Sequence, residues 1–261
     1  MLEIKDLTIQ YGDKPPVVEN FSLSLKKGEI ITIVGESGSG KSTVLSSILG
    51  LLPNGGKIIS GDIIYNGESM LNKSLNQWRE LRGTEITMIS QDSGGTLNPI
   101  RKIGKQFVEY IQTHSKMSAK EAEEKAKDMF SKVNLPDPEI IMKSYPHQLS
   151  GGMKQRVGIA MALTFHPKII LADEPTSALD VITQAQIVKE IMDLRKKFDT
   201  SIIMVTHNLG VAAYISDKII VMQNGKIVDA GNKNAVIENP KSDYTKKLLA
   251  AVPEIGGERL V

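Results

Sequence analysis

The chain has 261 residues, 41% hydrophobic and 24% charged, and its 32 basic against 30 acidic residues leave a net charge of +2. Such a composition supports a folded domain with a real core, and the near-balance of charge gives no electrostatic ground for wrapping nucleic acid or lying on an anionic membrane. With no cysteine, disulfides, thiolate catalysis and cysteine-type zinc or iron–sulfur sites are excluded, which fits a cytosolic address. No run of 18 apolar residues is present to span a bilayer, and MLEIKDLTIQYG lacks the basic-then-apolar order of a signal peptide.

In chain order, Leu2 to Ile9 and Val17 to Leu25 alternate as strands on either side of the turn signal Gly12-Asp13-Lys14-Pro15-Pro16. EIITIVG, residues 29–35, is a short β-branched strand that ends in glycines, and a helix is predicted from Ser42 to Leu52. Strand runs follow at Ile58 to Tyr65 and Ile86 to Ile89. Helices are then predicted over Lys102 to His114 and Ser118 to Asn134, the second with Ser118 and Glu121 in capping-box spacing. From Lys168 the order is strand (IILAD), helix (Thr183 to Phe198), strand (SIIMVT), short helix, strands KIIVM and GKIVDAG, and two terminal helices.

Buried strands that alternate with helices predict an α/β fold with a mostly parallel sheet covered on both faces. An antiparallel β subdomain is expected near the N-terminus. The charged helical stretch from about 92 to 160 reads as a subdomain inserted into the core, and about 232–261 as a short helical extension. Nothing splits the chain, so one domain is expected over residues 1–261.

Residues 35–42, GESGSGKS, match GxxxxGKS between a strand and a helix, the context that pattern requires. Gly35, Gly38 and Gly40 let the loop turn so that N–H groups, including those of Glu36, Ser37, Ser39 and Thr43 around it, are available to phosphate oxygens, and the helix adds its positive end. Lys41 is placed for the β- and γ-phosphates and Ser42 for Mg²⁺. The strand IILADE ends in Asp173, an acid positioned to hold Mg²⁺, and Glu174, positioned to polarise an attacking water.

LSGGMKQR, residues 149–156, is unusual in another way. Ser150 is an ordinary cap before the helical run MKQRVGIAMALTF, but Gly151 and Gly152 each weaken a helix by roughly 1 kcal/mol relative to alanine. Bare backbone at a helix start suits a second anion site, facing either the same nucleotide or one held by another molecule.

Taken together, GESGSGKS, Gln91, LSGGMKQR, IILADE, SALD at 177–180 and His207 resemble, in order and spacing, the ATP-binding cassette ATPases, across nearly the whole chain. The resemblance implies a P-loop NTPase core that binds ATP and Mg²⁺ and works as a head-to-tail dimer, with Ser150, Gly151, Gly152 and Gln155 of one subunit closing over ATP on the other. It also implies that Gln91 contacts Mg²⁺ or water and relays nucleotide state, that His207 contacts the γ-phosphate, that Asp180 organises the dimer seam and that Tyr11 stacks on adenine.

TLNPIRKIGKQ, SYPHQLSGG and DYTKKLLAAVP further resemble the ATPase subunits of oligopeptide, dipeptide and nickel importers. The chain stops after PEIGGERLV without cysteines, and so is closer to the short members associated with nickel or metal-chelate uptake. The resemblance implies a peripheral subunit on the cytoplasmic face of the membrane, with two permease subunits, a second ATPase subunit in a heterodimer or homodimer, and an extracytoplasmic solute-binding protein. The alternative is a soluble cassette ATPase acting on nucleic acid or ribosomes. Such relatives carry long coiled coils or paired cassettes, and this chain has neither. A regulatory subunit without turnover would carry a damaged Glu174, His207 or LSGG segment, and all three are intact.

Overall fold

The computed structural model describes residues 1–177 and 179–251. Ala178 of the SALD segment and residues 252–261, on which the end of the expected C-terminal extension falls, lie outside the described residues. In chain order the elements are β1 (Leu2–Tyr11), β2 (Val18–Leu25), β3 (Ile30–Val34), α1 (Lys41–Ile48), β4 (Gly56–Tyr65), β5 (Glu68–Ser69), α2 (Leu75–Leu81), β6 (Ile86–Ile89), α3 (Ile103–His114), α4 (Ala119–Lys132) and α5 (Pro138–Lys143). They continue with α6 (Gly151–Leu163), β7 (Ile169–Asp173), α7 (Val181–Phe198), β8 (Ser201–Thr206), α8 (Leu209–Ile215), β9 (Lys218–Gln223), β10 (Lys226–Asn232), α9 (Lys233–Glu238) and α10 (Asp243–Ala250). The fold is α/β, with a mixed, mostly parallel sheet and a separate antiparallel one. Two compact units make up the chain, one of residues 1–71 with the chain from 203 onward, the other of residues 72–202.

In the first unit, β2, β1, β4 and β5 lie side by side in that order, antiparallel throughout. The second sheet of this unit runs β10-β9-β3-β8. β3 pairs with β9 in parallel from Ile31↔Lys218 to Val34↔Val221, and β10 returns antiparallel on β9. All five residues of β3 are buried, as expected for a strand covered on both faces. Val34, Leu209, Ala212, Ile219, Val221 and Val236 form a core cluster, against which Tyr244, Leu248 and Leu249 of α10 pack. The first helix stops at Ile48, four residues short of the predicted Leu52, and the left-handed Gly50 (φ 61°) turns the chain just beyond it.

In the second unit β6 and β7 pair in parallel from Ile86↔Ile169 to Ile89↔Ala172. The charged stretch between 92 and 160 holds α3 to α6. Phe107 of α3 and Phe130 of α4 meet with ring centroids 5.2 Å apart. Ser118 caps α4 reciprocally: its Oγ accepts from the Glu121 N–H at 3.3 Å, and Glu121 Oε2 accepts from the Ser118 N–H at 2.8 Å. Two helices lie outside the sequence expectation, α2 and α5. No helix among the described residues is long and apolar enough to cross a membrane.

Candidate active site

The phosphate loop belongs to the first unit, between β3 and α1. Gly35 is required by close approach, because a Cβ there would lie 2.2 Å from the Met222 carbonyl oxygen. Gly40 is required by its φ of 98° as well as by the Val17 carbonyl, 2.8 Å from an added Cβ. Lys41 opens α1 and is only 4% exposed. Its Nζ donates to the carbonyl oxygens of Gly35 at 2.8 Å and Glu36 at 2.7 Å, with Ser39 Oγ at 3.4 Å. Glu36, Ser37, Gly38 and Ser42 are exposed, and Thr43 is half-buried.

α1 has neither a side-chain cap nor an acid in its first turn, so no carboxylate of that turn offsets its positive end. An ammonium, a hydroxyl and a helix start make a donor set that fits phosphate. Among the described residues no three His, Cys, Asp or Glu groups cluster to hold a metal unaided. Each unit by itself carries a hard oxygen ligand of the kind Mg²⁺ takes beside phosphate oxygens and water, the Ser42 hydroxyl in the first and the Asp173 carboxylate in the second.

Two neighbours brace the loop from within this unit. The Gly225 N–H in the β9–β10 turn donates to Ser39 O at 3.2 Å, and the Glu36 N–H donates to Tyr244 Oη at 2.9 Å. Tyr11 ends β1 opposite Gly56, half-buried, with its ring so close over that residue that a Cβ on Gly56 would lie 2.6 Å from Cε1. His207 follows β8 and is exposed. The next residue, Asn208, caps α8 by accepting from the N–H groups of Gly210 at 2.9 Å and Val211 at 3.2 Å.

In the second unit β7 ends at Asp173, and both Asp173 and Glu174 are half-buried. Pro175 disfavours the right-handed helical region at Glu174, whose φ is 43°, a left-handed conformation that a residue with a long side chain adopts at a cost of about 1–3 kcal/mol. The Ser177 N–H and Oγ both donate to Glu174 O, at 3.2 and 3.1 Å. Gln91 is exposed just beyond β6.

Ser150 caps α6, its Oγ accepting from the Met153 N–H at 3.3 Å. Neither following glycine has a positive φ. A Cβ at Gly151 would meet only Leu179 Cδ2, at an ordinary 3.6 Å, and one at Gly152 would come 3.1 Å from Thr183 Cγ2. The packing of this chain therefore gives no reason for glycine at 151. Ser150, Gly151 and Gly152 open instead onto a 360 Å³ cleft shared with Arg156, Asp180 and Thr183. Asp180 caps α7, accepting from the Thr183 N–H at 3.0 Å and Thr183 Oγ1 at 2.7 Å, and these bonds hold its carboxyl below the usual range.

Gln155 is not part of that cleft. Five residues, about 1.4 turns, beyond Ser150, it is 4% exposed and lines a separate 120 Å³ cavity with Gln91, Asp92, Ser93 and Lys154. Its Nε2 finds no acceptor among the described residues. Arg156 and Tyr244 were not singled out by sequence reasoning. Arg156 was visible as the last residue of LSGGMKQR, whereas nothing local connects Tyr244 with the phosphate loop.

Comparison with known proteins places this geometry. The family model described as ABC transporter matches residues 18–177. Over 259 residues the chain is 44% identical to the oligopeptide transport ATP-binding protein OppD of Bacillus subtilis (strain 168), covering 98% of this chain and 72% of that protein. It is 41% identical over 258 residues to the metal-staphylopine import system ATP-binding protein CntD of Staphylococcus aureus (strain NCTC 8325 / PS 47), covering 98% and 94%. Among solved structures it resembles a dimeric post-hydrolysis state of an ATP-binding cassette bound to ADP and Pi, with TM-score 0.77 and 29% identity over 89% of this chain and 99% of that one. With the phosphate loop, the acidic strand end and the glycine helix start all inside the matched stretch, the chain belongs to the ABC transporter family and carries its ATPase domain.

Proposed function

We propose that this chain is the ATP-hydrolysing subunit of an importer, peripheral to the cytoplasmic face of a membrane, which takes up short peptides or metal chelates, nickel among them, through separate permease subunits. The observation that carries the hydrolytic part is Lys41, buried at an uncapped, acid-free helix start and held by its own loop's carbonyls. The import part is supported by similarity, over 98% of this chain, to ATP-binding proteins of peptide and metal-staphylopine uptake systems.

In this reading residues 35–43 bind the phosphates of ATP, and Tyr11 lies against adenine. Ser42, Gln91 and Asp173 would hold Mg²⁺, which when bound neutralises charge on the phosphate oxygens. Glu174 takes a proton from water as its oxygen attacks the γ-phosphorus. The bond to the β–γ bridging oxygen breaks, leaving ADP and inorganic phosphate, while His207 contacts the γ-phosphate. Ser150, Gly151 and Gly152 of a second ATPase subunit, identical or different, close over that phosphate, with Asp180 at the seam. Buried Gln155, which lines one cavity with the exposed Gln91, links the α6 start to the residue that senses the nucleotide. The chain acts as one cassette domain, with α3 to α6 as the subdomain that moves the permease.

The test is recovery of the chain from detergent-solubilised native membranes, with co-purifying proteins identified by mass spectrometry. Two multi-span permeases, a second cassette ATPase and a solute-binding protein are expected. Ribosomal or DNA-bound proteins without a permease would overturn the importer reading. Uptake of a labelled dipeptide against a labelled nickel chelate in a strain lacking this chain then separates the solutes.

A further inference from the structure

The Glu36 N–H and the Gly35 C=O are the two ends of one peptide group. That carbonyl accepts from Lys41 Nζ at 2.8 Å, and that N–H donates to Tyr244 Oη at 2.9 Å across 208 residues of sequence. A single peptide plane thus joins the phosphate-loop lysine to a tyrosine of α10. An amide whose carbonyl is polarised by an ammonium is a stronger N–H donor, so the two bonds reinforce each other.

The helix that presents Tyr244 is firmly seated. Buried Asp229 of β10 accepts from the N–H groups of Lys241 at 2.8 Å and Ser242 at 3.4 Å. Ser242 caps α10 by accepting from the Thr245 N–H at 3.0 Å, and Thr245 is fully buried. Tyr244, Leu248 and Leu249 rest on the cluster around Val34 and Leu209. On the other side of the loop, the Gly225 N–H holds Ser39 O. The part of the loop that faces phosphate is therefore anchored at both ends to groups outside it.

We propose that Tyr244 is a positioning residue for ATP binding: acting through the Gly35–Glu36 peptide, it holds the phosphate loop and Lys41 in the binding geometry and makes α10 part of the nucleotide site. This rests on the reading of residues 35–43 as the ATP phosphate site. A loop ordered in advance binds more tightly because less ordering remains to be done on binding.

Tyr244→Phe keeps the ring packing and deletes only the acceptor. In the full chain it is expected to weaken ATP binding about threefold to tenfold, the range of one hydrogen bond. KM for ATP should rise by the same factor, with a smaller change in kcat and a melting temperature within about 2 °C of wild type. Lys246→Ala, on the exposed face of the same helix, should stay within about 1.5-fold of wild type. Tyr244→Phe binding ATP as tightly as wild type, or a loss that Lys246→Ala reproduces, would overturn the inference alone. Lys41→Ala binding ATP as well as wild type would overturn the phosphate-site reading and the inference with it.

Discussion

Arg156 of α6 and Glu190 of α7 form a 2.5 Å ion pair with side chains only 14% and 16% exposed. Arg156 Nη1 also donates to Val133 O at 2.9 Å, so the guanidinium that lines the Ser150 cleft is held from two directions. Removing one partner of a largely buried pair strands the other charge. Glu190→Ala should lower stability by about 2–4 kcal/mol in urea denaturation, and the double replacement Arg156→Met/Glu190→Leu should recover most of that loss. Equal stability of the single and double variants would show that the pair is not coupled.

Glu174 combines a chemical assignment with a strained backbone. Glu174→Gln should lower ATP turnover about 100-fold or more while ATP still binds, and near-normal turnover would remove it as the base. Because its φ is 43°, Glu174→Gly relieves strain that glycine does not feel, and its melting temperature should not fall below wild type. A clear drop would show that the side chain stabilises the loop more than the backbone strains it.

Gly151→Ala meets no steric obstacle in this chain, since its Cβ would sit 3.6 Å from Leu179 Cδ2. The isolated chain should become more stable, by up to about 1 kcal/mol. In the assembled transporter ATP turnover should fall at least tenfold, on the order of one lost transition-state contact. Unchanged turnover would leave the glycine without the role proposed for it.

Two histidines of the second unit set a pH dependence. His114 lies among Tyr110 and Phe165, with ring centroids 5.1 and 5.8 Å away, and burial lowers its pKa from 6.5. His166 packs 4.6 Å from the Phe198 ring, and burial, then Lys132 and Lys125, lower its pKa as well. A depressed histidine pKa means that the unfolded chain binds more protons. Stability is therefore full above the ordinary value near 6.5 and declines as pH falls below it. Melting curves from pH 7.5 to 5 should show that decline, and His114→Gln should flatten it. An unaltered slope would exclude His114 as a source.

Much of the fold was legible because its strands are short, β-branched and apolar: Ile86–Ile89, Ile169–Asp173 and Ser201–Thr206 have the boundaries their sequences suggest. α2 and α5 escaped because neither carries a broad apolar stripe. Trp78 is the one buried side chain of α2, and α5 is six residues long. Their caps were nonetheless written in the chain, as Ser74 with Gln77 and as Asp137 before Pro138. At the site, residue types and spacing pointed to residues 35–43, to Asp173 and Glu174, and to the Gly151–Gly152 helix start as candidates. They did not show that Gln155 turns to the buried side of α6, because that depends on what packs around the helix. Nor did they show the Tyr244 bond, because no local pattern records a contact made across 208 residues.

The absent methyl group at residue 151 bears on how such a chain is improved. A screen that ranks variants of the lone chain by melting temperature would favour alanine there, and so fill part of the cleft onto which Ser150, Gly151 and Gly152 open. Under the role proposed for the α6 start, selection for a better-folded subunit and selection for a working transporter pull apart at this position, and a stabilised version would hold Gly151 and Gly152 fixed and draw its gains from elsewhere in the chain.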